Sequence, residues 1–509
     1  MEAGREQAWA LLSVSDKRGL GELARWLKGQ GLGLMASGGT QRALVEQGIS
    51  ARPLEDLTGF AELLGGRVKT LHPRIYAGLL SRETPADWED RHRMEAPAFA
   101  VVVVNLYPFS QRWQAGADLE TLVEEIDIGG VSLIRAAAKN YQRILVVTHP
   151  DQYPRLMSRA LGEWSEAERL GWAVEAFYHM AHYDATIARA LAAKSSQRLT
   201  PQFWALSGER EGSLRYGENP HQWGGLYRVP GEQGVATARQ HQGKALSYNN
   251  LADADMAWRL AAALPRPAAV AVKHQTPCGV ALGATVSDAF VRARDADPVS
   301  IFGGIVAFNA PVDATLAELL TDLFLEVVVA PGYSDQALAK LGQKTNLRVL
   351  EVTSGEGPGE EVRRIGGGIL VQEPDRFAVP PAGFQHVAGP PLDPALLADL
   401  DLAWRTVAFV RSNAIVVVRD GVTVGIGGGQ TNRIDAARQA LERAGERARG
   451  GVLASDAFFP FGDVMAQAAQ AGIRAVVEPG GSVRDQESVA VAESSGVTLL
   501  FTGERHFRH

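Results

Sequence analysis

Cysteine is almost absent from this chain, because its 509 residues include a single one, Cys278. One cysteine excludes an intrachain disulfide and any metal site built from several thiolates, and it favours a reducing compartment. Long apolar runs are also missing: the aliphatic stretch 101–104 falls far short of the roughly 18 residues that a membrane helix needs. Together with the polar first segment MEAGREQ, these absences predict a cytoplasmic protein without a targeting or membrane segment.

The chain also has no excess of basic residues. The 51 lysines and arginines are outnumbered by 58 acidic residues, which leaves a net charge of -7. This balance disfavours a general nucleic-acid surface, so an anionic ligand would require a local basic pocket. The length is too great for one hydrophobic core, and we expect about two to four domains.

Short β-branched runs alternate with helical patterns along most of the chain, which predicts an α/β fold with mainly parallel sheets. The strands predicted in the first third are 8–14, 32–36, 100–104 and 144–147. A helix is predicted over 160–193, and the polar residues after it favour a domain boundary between 198 and 199. We therefore expect domains 1–198 and 199–509.

The second domain contains two blocks that are loosely alike. Each has a strand, a glycine- or cysteine-containing turn, a helix, and then an Asp-led aromatic segment; the blocks run over 270–304 and 422–461. This similarity predicts two related subdomains, at about 199–375 and 376–509.

Two strand-to-helix turns near the start of the chain are rich in small hydroxyl residues and glycine. They are SVSDK (13–17) and SGGT (37–40). Backbone N–H groups and hydroxyls at such turns can bind a phosphate, helped by the positive end of a helix dipole. Each turn alone is as well explained by helix capping, but the pair favours a phosphate site.

A basic loop and two further motifs supply proton-transfer groups. The loop GRVKTLHPR (66–74) concentrates cationic side chains between glycine and proline, although a solvated loop is the alternative. NLYPF (105–109) follows a predicted strand, and DIGG (127–130) precedes a helix that includes Lys139. A phenol, a carboxylate and ammonium groups suit proton transfer on a heterocycle without a metal.

The segment KHQTPCG (273–279) follows a buried apolar strand, so Lys273 and His274 are predicted at a strand exit in a Pro/Gly turn. A base beside a fixed positive charge suits attack by a weak amine on an acyl carbon. The alternative is a histidine with a purely structural hydrogen bond.

Taken together, the motifs resemble one enzyme family. SVSDK, ASGGT, GRVKTLHP, NLYPF and IDIGG are similar to the cyclohydrolase half of the bifunctional purine biosynthesis enzymes. These enzymes join 5-aminoimidazole-4-carboxamide ribonucleotide (AICAR) transformylase to inosine monophosphate (IMP) cyclohydrolase. Six segments are similar to the transformylase half: LRYGENPHQ (214–222), LSYNN (246–250), KHQTPCG, SNAI (412–415), FFPF (458–461) and RHFRH (505–509). The turn departs from the common bacterial pattern at Gln275 and Thr276.

The resemblance implies a fold and two sets of site residues. The fold is a methylglyoxal-synthase-like parallel-sheet domain followed by two cytidine-deaminase-like α/β subdomains without zinc. The implied cyclisation residues are Lys69, Tyr107, Asp127 and Lys139, with the proton-transfer roles of Tyr107 and Lys139 left open. The implied nucleotide-binding residues of the first domain are Ser13, Ser15, Lys17, Ser37, Gly38, Gly39, Thr40, Arg67, Thr70, Asn105, Gly129 and Gly130.

For formyl transfer the resemblance implies His274 as base, Lys273 for the oxyanion or leaving group, Asn413 as hydrogen-bond partner, and His509. The further implied substrate contacts are Arg215, Tyr216, Asn249, Glu326, Phe459 and Arg505. The implied cosubstrate is 10-formyltetrahydrofolate, cyclisation is expected to need no metal, and a homodimer is expected. A monovalent cation is left open, and neither nucleic acid nor membrane is expected as a partner.

Two rival functions are weighed against this one. A nucleotide-sensing binding protein related to methylglyoxal synthase explains the phosphate turns but gives no role to the second half of the chain. A zinc nucleotide deaminase requires a pair of cysteines that the chain lacks.

Overall fold

The structure is a computed structural model that describes residues 7–60, 63–196, 201–265, 267–353, 357 and 359–509. The chain forms two compact units, Met1–Glu209 with Val229–Gly231, and Arg210–Arg228 with Glu232–His509. The boundary predicted between 198 and 199 lies outside the described residues. Over the ranges that the structure describes, no helix is long and apolar enough to cross a membrane.

The first unit is built on a parallel sheet of five strands in the order β3-β2-β1-β4-β5. Strands β1 to β5 are Ala8–Val14, Gly33–Ala36, Arg52–Pro53, Ala98–Asn105 and Leu145–Val147. Helices α1 to α10 are Leu20–Gly29, Gly38–Val45, Glu55–Thr58, Pro73–Leu80, Pro85–Arg93, Phe109–Gln114, Leu119–Glu124, Gly129–Lys139, Tyr153–Met157 and Glu166–Lys194.

The sheet of the first unit is covered by helices on both faces. Along the interior strand β4, residues 101–104 are all fully buried, as expected for a parallel strand with apolar neighbours on each side. One face of the sheet packs against α4, α8 and α10, and the other against α1, α2 and α9. The carboxyl ends of β1, β2 and β4 therefore meet at one edge of the sheet, where parallel α/β folds bind ligands.

The second unit contains a twelve-stranded mixed sheet and two small hairpins. Strands β6 to β21 are Glu209–Ser213, Gly225–Arg228, Arg239–Gln242, Ala268–Lys273, Thr276–Leu282, Ile305–Phe308, Val327–Ala330, Arg348–Glu351, Glu361–Ile365, Gly368–Gln372, Gln385–Ala388, Ile415–Arg419, Val422–Gly427, Val452–Ser455, Ala475–Glu478 and Thr498–Phe501. Helices α11 to α18 are Tyr248–Ala263, Val286–Ala296, Ala314–Thr321, Asp335–Leu341, Pro394–Val407, Arg433–Ala444, Asp463–Gln470 and Asp485–Ser495.

The large sheet consists of two halves with the same order of elements. In each half a hairpin is followed by three strands that are parallel to one another and then by an antiparallel edge strand. The first half reads β10-β9-β11-β12-β13-β8 and the second β18-β17-β19-β20-β21-β16. The halves join where β10 and β18 pair antiparallel, with Ala281 opposite Val422. The likeness of each half to cytidine deaminases stays a prediction.

The central hairpins are where the sequence-based expectation of mainly parallel sheets is wrong for the second unit. Lys273 pairs with Thr276, so β9 turns back tightly into β10. Pro277 lies within β10, next to an irregularity in its register, rather than in an open Pro/Gly loop. A bulge accommodates proline in a strand because the missing N–H is not required there.

One helix of each half covers one face of the large sheet. Helices α11 and α15 share a core that extends across both halves and includes the buried Trp404. The opposite face is covered by α12 to α14 in the first half and by α16 to α18 in the second. Both faces of the large sheet are therefore covered by apolar packing.

Candidate active sites

A cavity of about 790 Å³ lies at the carboxyl ends of β1, β2 and β4 in the first unit. Its wall brings together the two small-residue turns, the basic loop and the start of α8. The predicted residues that line it are Ser13, Ser15, Lys17, Ser37, Gly39, Thr40, Arg67, Lys69, Thr70, Asn105, Tyr107, Asp127, Gly129 and Gly130.

The two turns are tied to each other by hydroxyl groups. The hydroxyl of Ser37 donates to that of Ser13 over 3.0 Å, and the N–H of Val14 donates to Thr40 Oγ1 over 3.0 Å. Ser37 precedes α2, whose first residues are Gly38 and Gly39, so this turn does open a helix. The first turn does not, because α1 begins only at Leu20.

Two ammonium groups share the cavity. Partial desolvation, and then the nearby charge of Lys69, lower the pKa of the Lys17 ammonium group. Lys17 Nζ lies 3.3 Å from Thr40 Oγ1. Lys69 Nζ is 3.5 Å from the hydroxyl of Tyr107. This concentration of positive charge in an acidic protein is what an anionic ligand requires.

Asp127 supplies the carboxylate of the cavity. Its Oδ1 accepts the backbone N–H of Gly130 over 2.6 Å, and its own N–H donates to the hydroxyl of Tyr183 over 2.8 Å. Burial raises the pKa of Asp127, against the opposing effects of the Gly130 N–H and Lys69. A Cβ on Gly130 would lie 2.5 Å from Asp127 Oδ2, so glycine is required for this close approach.

Thr70 is 2% exposed, and its hydroxyl has no hydrogen-bond partner among the described residues, although it lines the cavity. A ligand that hydrogen-bonds this hydroxyl would remove the cost of an unsatisfied buried group. Arg67 also lines the cavity, where it forms an ion pair with Glu124.

Lys139 is not brought into the cavity. It is the exposed last residue of α8, whereas Gly129 and Gly130 begin that helix. An eleven-residue helix rises about 15 Å, so its two ends are far apart. Lys139 therefore does not line the cavity that holds Lys69, Tyr107 and Asp127, and its part in cyclisation stays a prediction.

The second candidate site lies at one edge of the twelve-stranded sheet. This edge holds the β9–β10 turn with Lys273 and His274, as well as the amino ends of β11 and β12. In the other half of the sheet, Asn413 precedes β17 at the same edge, next to the carboxyl end of β19. Lys273 Nζ donates to the carbonyl of Phe302 over 2.9 Å, and His274 is exposed.

A buried network surrounds Asn413. Its Nδ2 donates to the carbonyl of Gln430 over 2.9 Å, and its Oδ1 accepts from Arg433 over 2.6 Å. Arg433 also donates to Ser455 Oγ over 2.8 Å and forms an ion pair with the fully buried Asp456. These contacts fix the orientation of the Asn413 amide.

The final residues of the chain are anchored at this edge. His506 is 2% exposed; its Nδ1 lies 2.7 Å from Asp375 Oδ2, and its backbone N–H donates to the carbonyl of Asp456 over 2.9 Å. The N–H of Ser412 donates to the carbonyl of Arg508 over 2.8 Å. The tail is therefore part of the folded unit, and not a frayed terminus.

Two predicted tail residues have exposed side chains that lie near one ring. The guanidinium of Arg505 lies 4.7 Å from the centre of the Phe507 ring, and the ring of His509 lies 5.5 Å from it. Both side chains are thus held by an aromatic neighbour while their polar atoms stay accessible.

The remaining predicted residues of the second unit fall into two groups. Asn249 Nδ2 donates to the carbonyl of Glu218 over 3.3 Å, which connects α11 to the segment that carries Arg215 and Tyr216. The guanidinium of Arg215 is 5.6 Å from the Tyr216 ring. Glu326 precedes β12 at the same edge as Lys273 and forms an ion pair with Arg348.

Phe459 is placed differently from the expectation. It is 0% exposed and belongs to the apolar core between the sheet and α16 to α18. Its ring is therefore not available to a ligand, whereas the neighbouring Phe458 is 38% exposed.

Sequence reasoning missed Asp253, Arg433, Asp456 and His506. Arg433 and Asp456 are a buried pair from segments far apart in the chain, and no local pattern announces their contact. A signal did exist for Asp253, since it lies one helical turn after Asn249 and so on the same face of α11. Its two oxygens accept the N–H groups of His274 and Gln275.

Comparison with known proteins gives full-length similarity. A family model described as "AICARFT/IMPCHase bienzyme" matches residues 137–443, and an "MGS-like domain" model matches 19–132. The chain is 46% identical to the bifunctional purine biosynthesis protein PurH of Mycobacterium leprae strain TN, over 98% of this chain and 97% of that protein. It is 45% identical to the protein of the same name in Cutibacterium acnes, over 98% of each.

Similarity at this level extends across both units and both candidate sites. The two family models together cover residues 19–132 and 137–443, from just before α1 to α16. The methylglyoxal-synthase-like match includes β2, β3 and β4 of the parallel sheet, in the domain for which the sequence predicts this fold. The chain therefore belongs to the AICARFT/IMPCHase bienzyme family.

Proposed function

We propose that this protein catalyses the last two steps of IMP biosynthesis, with formyl transfer at the edge of the twelve-stranded sheet and ring closure in the cavity of the first unit. The observation that carries this proposal is that one chain holds two distinct polar sites with different functional groups. One combines Lys69, Tyr107 and Asp127, and the other contains the Lys273-His274 turn.

In the first step the 5-amino group of AICAR attacks the formyl carbon of 10-formyltetrahydrofolate. That amine is a weak nucleophile because the ring and the carboxamide withdraw its electrons, so a base must remove its proton during attack. We assign this role to the exposed imidazole of His274. The C–N bond to tetrahydrofolate then breaks, and the ammonium of Lys273 stabilises the oxyanion or protonates the leaving nitrogen.

Asn413, Arg505, His509, Arg215, Tyr216, Asn249 and Glu326 are proposed to bind the substrates of this step. The support is their placement: Asn413 and the tail lie at the edge that carries His274, and Asn249 lies on the helix that also carries Asp253. For Phe459 a ligand contact through the backbone is the form compatible with its buried ring.

In the second step the carboxamide nitrogen attacks the new formyl carbon of the same molecule, and loss of water gives IMP. Both reacting groups are on one molecule, so the enzyme has to fix their orientation and move protons. Asp127, whose pKa is raised by burial, is proposed to accept the carboxamide proton. Lys69 and Tyr107, with their polar atoms 3.5 Å apart, are proposed to protonate the departing oxygen.

The two small-residue turns, together with Lys17, Thr70, Asn105, Gly129 and Gly130, are proposed to hold the nucleotide of this second step. The hydroxyl of Thr70 supports this assignment because it is buried, faces the cavity and lacks a partner among the described residues. Cyclisation without a metal, a cytoplasmic location and a homodimer remain predictions.

Incubation of the purified protein with AICAR and 10-formyltetrahydrofolate tests the proposal. Tetrahydrofolate and IMP are expected to form in equal amounts, measured by absorbance and by chromatography. Nucleotide binding without any turnover would instead favour the regulatory binding protein. Formylated intermediate without IMP would contradict the assignment of ring closure to the first unit.

A further inference from the structure

The turn that presents His274 has a backbone conformation for which its residues are poorly suited. The φ angles of His274 and Gln275 are both 54°, in the left-handed region. Two consecutive residues with positive φ between paired strands define a type I′ hairpin turn, which strongly prefers Asn-Gly or Asp-Gly. Histidine followed by glutamine offers neither preference, so contacts from outside the turn must stabilise it.

The other half of the sheet contains the matching turn with a suitable sequence. Asp420 and Gly421 connect β17 to β18, with φ angles of 53° and 76°. Asp-Gly is among the sequences that favour this turn intrinsically. The two hairpins thus have the same geometry and differ in how far their own residues support it.

In each turn, two backbone N–H groups donate to an aspartate on a neighbouring helix. Asp253 on α11 accepts the N–H of His274 over 3.1 Å and that of Gln275 over 2.7 Å. Asp399 on α15 accepts the N–H of Asp420 over 2.8 Å and that of Gly421 over 2.6 Å. The same contact therefore occurs twice, once under a turn with candidate catalytic residues and once under a turn without them.

We propose that Asp253 is a positioning residue for formyl transfer, which holds the backbone of His274 and Gln275 so that the imidazole of His274 and the ammonium of Lys273 keep their places. This inference rests on the proposed function of those two residues. In the other half of the sheet Asp399 makes the same contact for the fold alone, because its turn already has a favourable sequence.

The carboxylate is suited to this role because both of its oxygens accept backbone N–H groups. An amide in its place retains one acceptor and turns the other contact into two facing donors. The β9–β10 turn would then lose one of its two anchors, and the direction of the His274 side chain would no longer be fixed. Small displacements of a reacting group reduce catalysis steeply.

The test compares Asp253→Asn with the matched control Asp399→Asn in the full-length protein. For Asp253→Asn we expect kcat of formyl transfer to fall by about 10- to 100-fold, with less change in KM for AICAR and unchanged cyclisation of added formylated intermediate. For Asp399→Asn we expect both activities to stay near wild type. Thermal unfolding of the two variants measures their common structural effect.

Rescue provides a readout that a merely structural role would not give. Adding Gln275→Gly to Asp253→Asn places glycine at the second left-handed position, and we expect it to restore much of the lost kcat. If Asp253→Asn does not fold, Asp253→Glu, which shifts the acceptors by one methylene, takes its place with the same expectation. Equal loss of formyl transfer in the Asp253 and Asp399 variants would overturn the proposal.

His274→Ala separates failure of the positioning role from failure of the proposed function. If His274→Ala is inactive while Asp253→Asn retains full kcat, the positioning role alone is refuted. If His274→Ala itself turns over normally, the assignment of formyl transfer to this turn is wrong, and the inference falls with it.

Discussion

At the scale of single residues, Lys69 is the side chain whose loss should separate the two activities. Its Nζ lies 3.5 Å from the Tyr107 hydroxyl in the cavity of the first unit. We expect Lys69→Ala to abolish ring closure while formyl transfer continues, so that the formylated intermediate accumulates and is seen by chromatography. Lys17→Ala is the control, for which weaker nucleotide binding is expected. Equal loss of both activities in folded Lys69→Ala protein would refute the assignment.

His274→Ala should have the reverse effect. A general base acts in the transition state, so we expect kcat of formyl transfer to fall by roughly 10²- to 10⁴-fold with little change in the affinity for AICAR. Steady-state kinetics and equilibrium nucleotide binding measure the two quantities. Because His274 is exposed, the melting temperature should not change. Near-normal turnover would return this histidine to a structural role.

Glu478 should make the stability of the second unit depend on pH. It is fully buried, and burial raises its pKa from 4.5 to about 7, although the Gly480 N–H donates to it over 2.8 Å. Between those values the folded state holds a proton that the unfolded state has released, so stability falls as pH rises. The difference corresponds to on the order of 3 kcal/mol.

Glu478→Gln, which cannot ionise, should therefore be more stable than the wild type at pH 8 and differ little at pH 4.5. Thermal unfolding across this range measures the effect, and Glu493→Gln, at an exposed position, is the control. Parallel curves for Glu478→Gln and the wild type would show that this carboxyl does not titrate in the range.

At the scale of elements, the final segment combines an anchor with exposed functional groups. His506 is buried between the rings of Phe377 and Trp404, 4.9 and 4.8 Å from their centres, whereas His509 is exposed. We expect His506→Ala to lower the melting temperature and His509→Ala to lower formyl transfer without changing stability. Deletion of 505–509 should do both. Full transfer activity in folded His509→Ala protein would contradict a substrate role for the tail.

Elements whose conformation follows from their own residues were predictable from the sequence. Strand β1 has the predicted bounds. For all four strands predicted in the first third, each predicted end lies within two residues of the observed end. The tight β9–β10 hairpin was missed because His274 and Gln275 carry no type I′ signal, and the conformation depends on Asp253 from another element. The burial of the Phe459 ring could not be predicted because its motif does not reveal which of three rings faces the core.

At the scale of the whole molecule, the first unit should act alone. Its last helix contacts residues that follow it in the chain. His182 Nδ1 lies 3.0 Å from Ser207 Oγ, and His182 Nε2 lies 3.2 Å from Glu209 Oε1. We expect a fragment of residues 1–209 to fold and to convert the formylated intermediate into IMP. The shorter fragment 1–198, which lacks these contacts, should show the same reaction with a lower melting temperature. Folded 1–209 without cyclisation would refute the division of labour.

The antiparallel junction of β10 and β18 has an evolutionary consequence. A protein made by doubling one half of this sheet would begin with two equivalent hairpin turns that face opposite edges. Today one turn carries His274 and its counterpart carries Asp420. Selection for catalysis would then restrict substitutions at His274, whereas selection at Asp420 would act on folding alone. A mutational scan that measures formyl transfer should therefore find fewer tolerated substitutions at His274 than at Asp420, although the two turns have the same geometry.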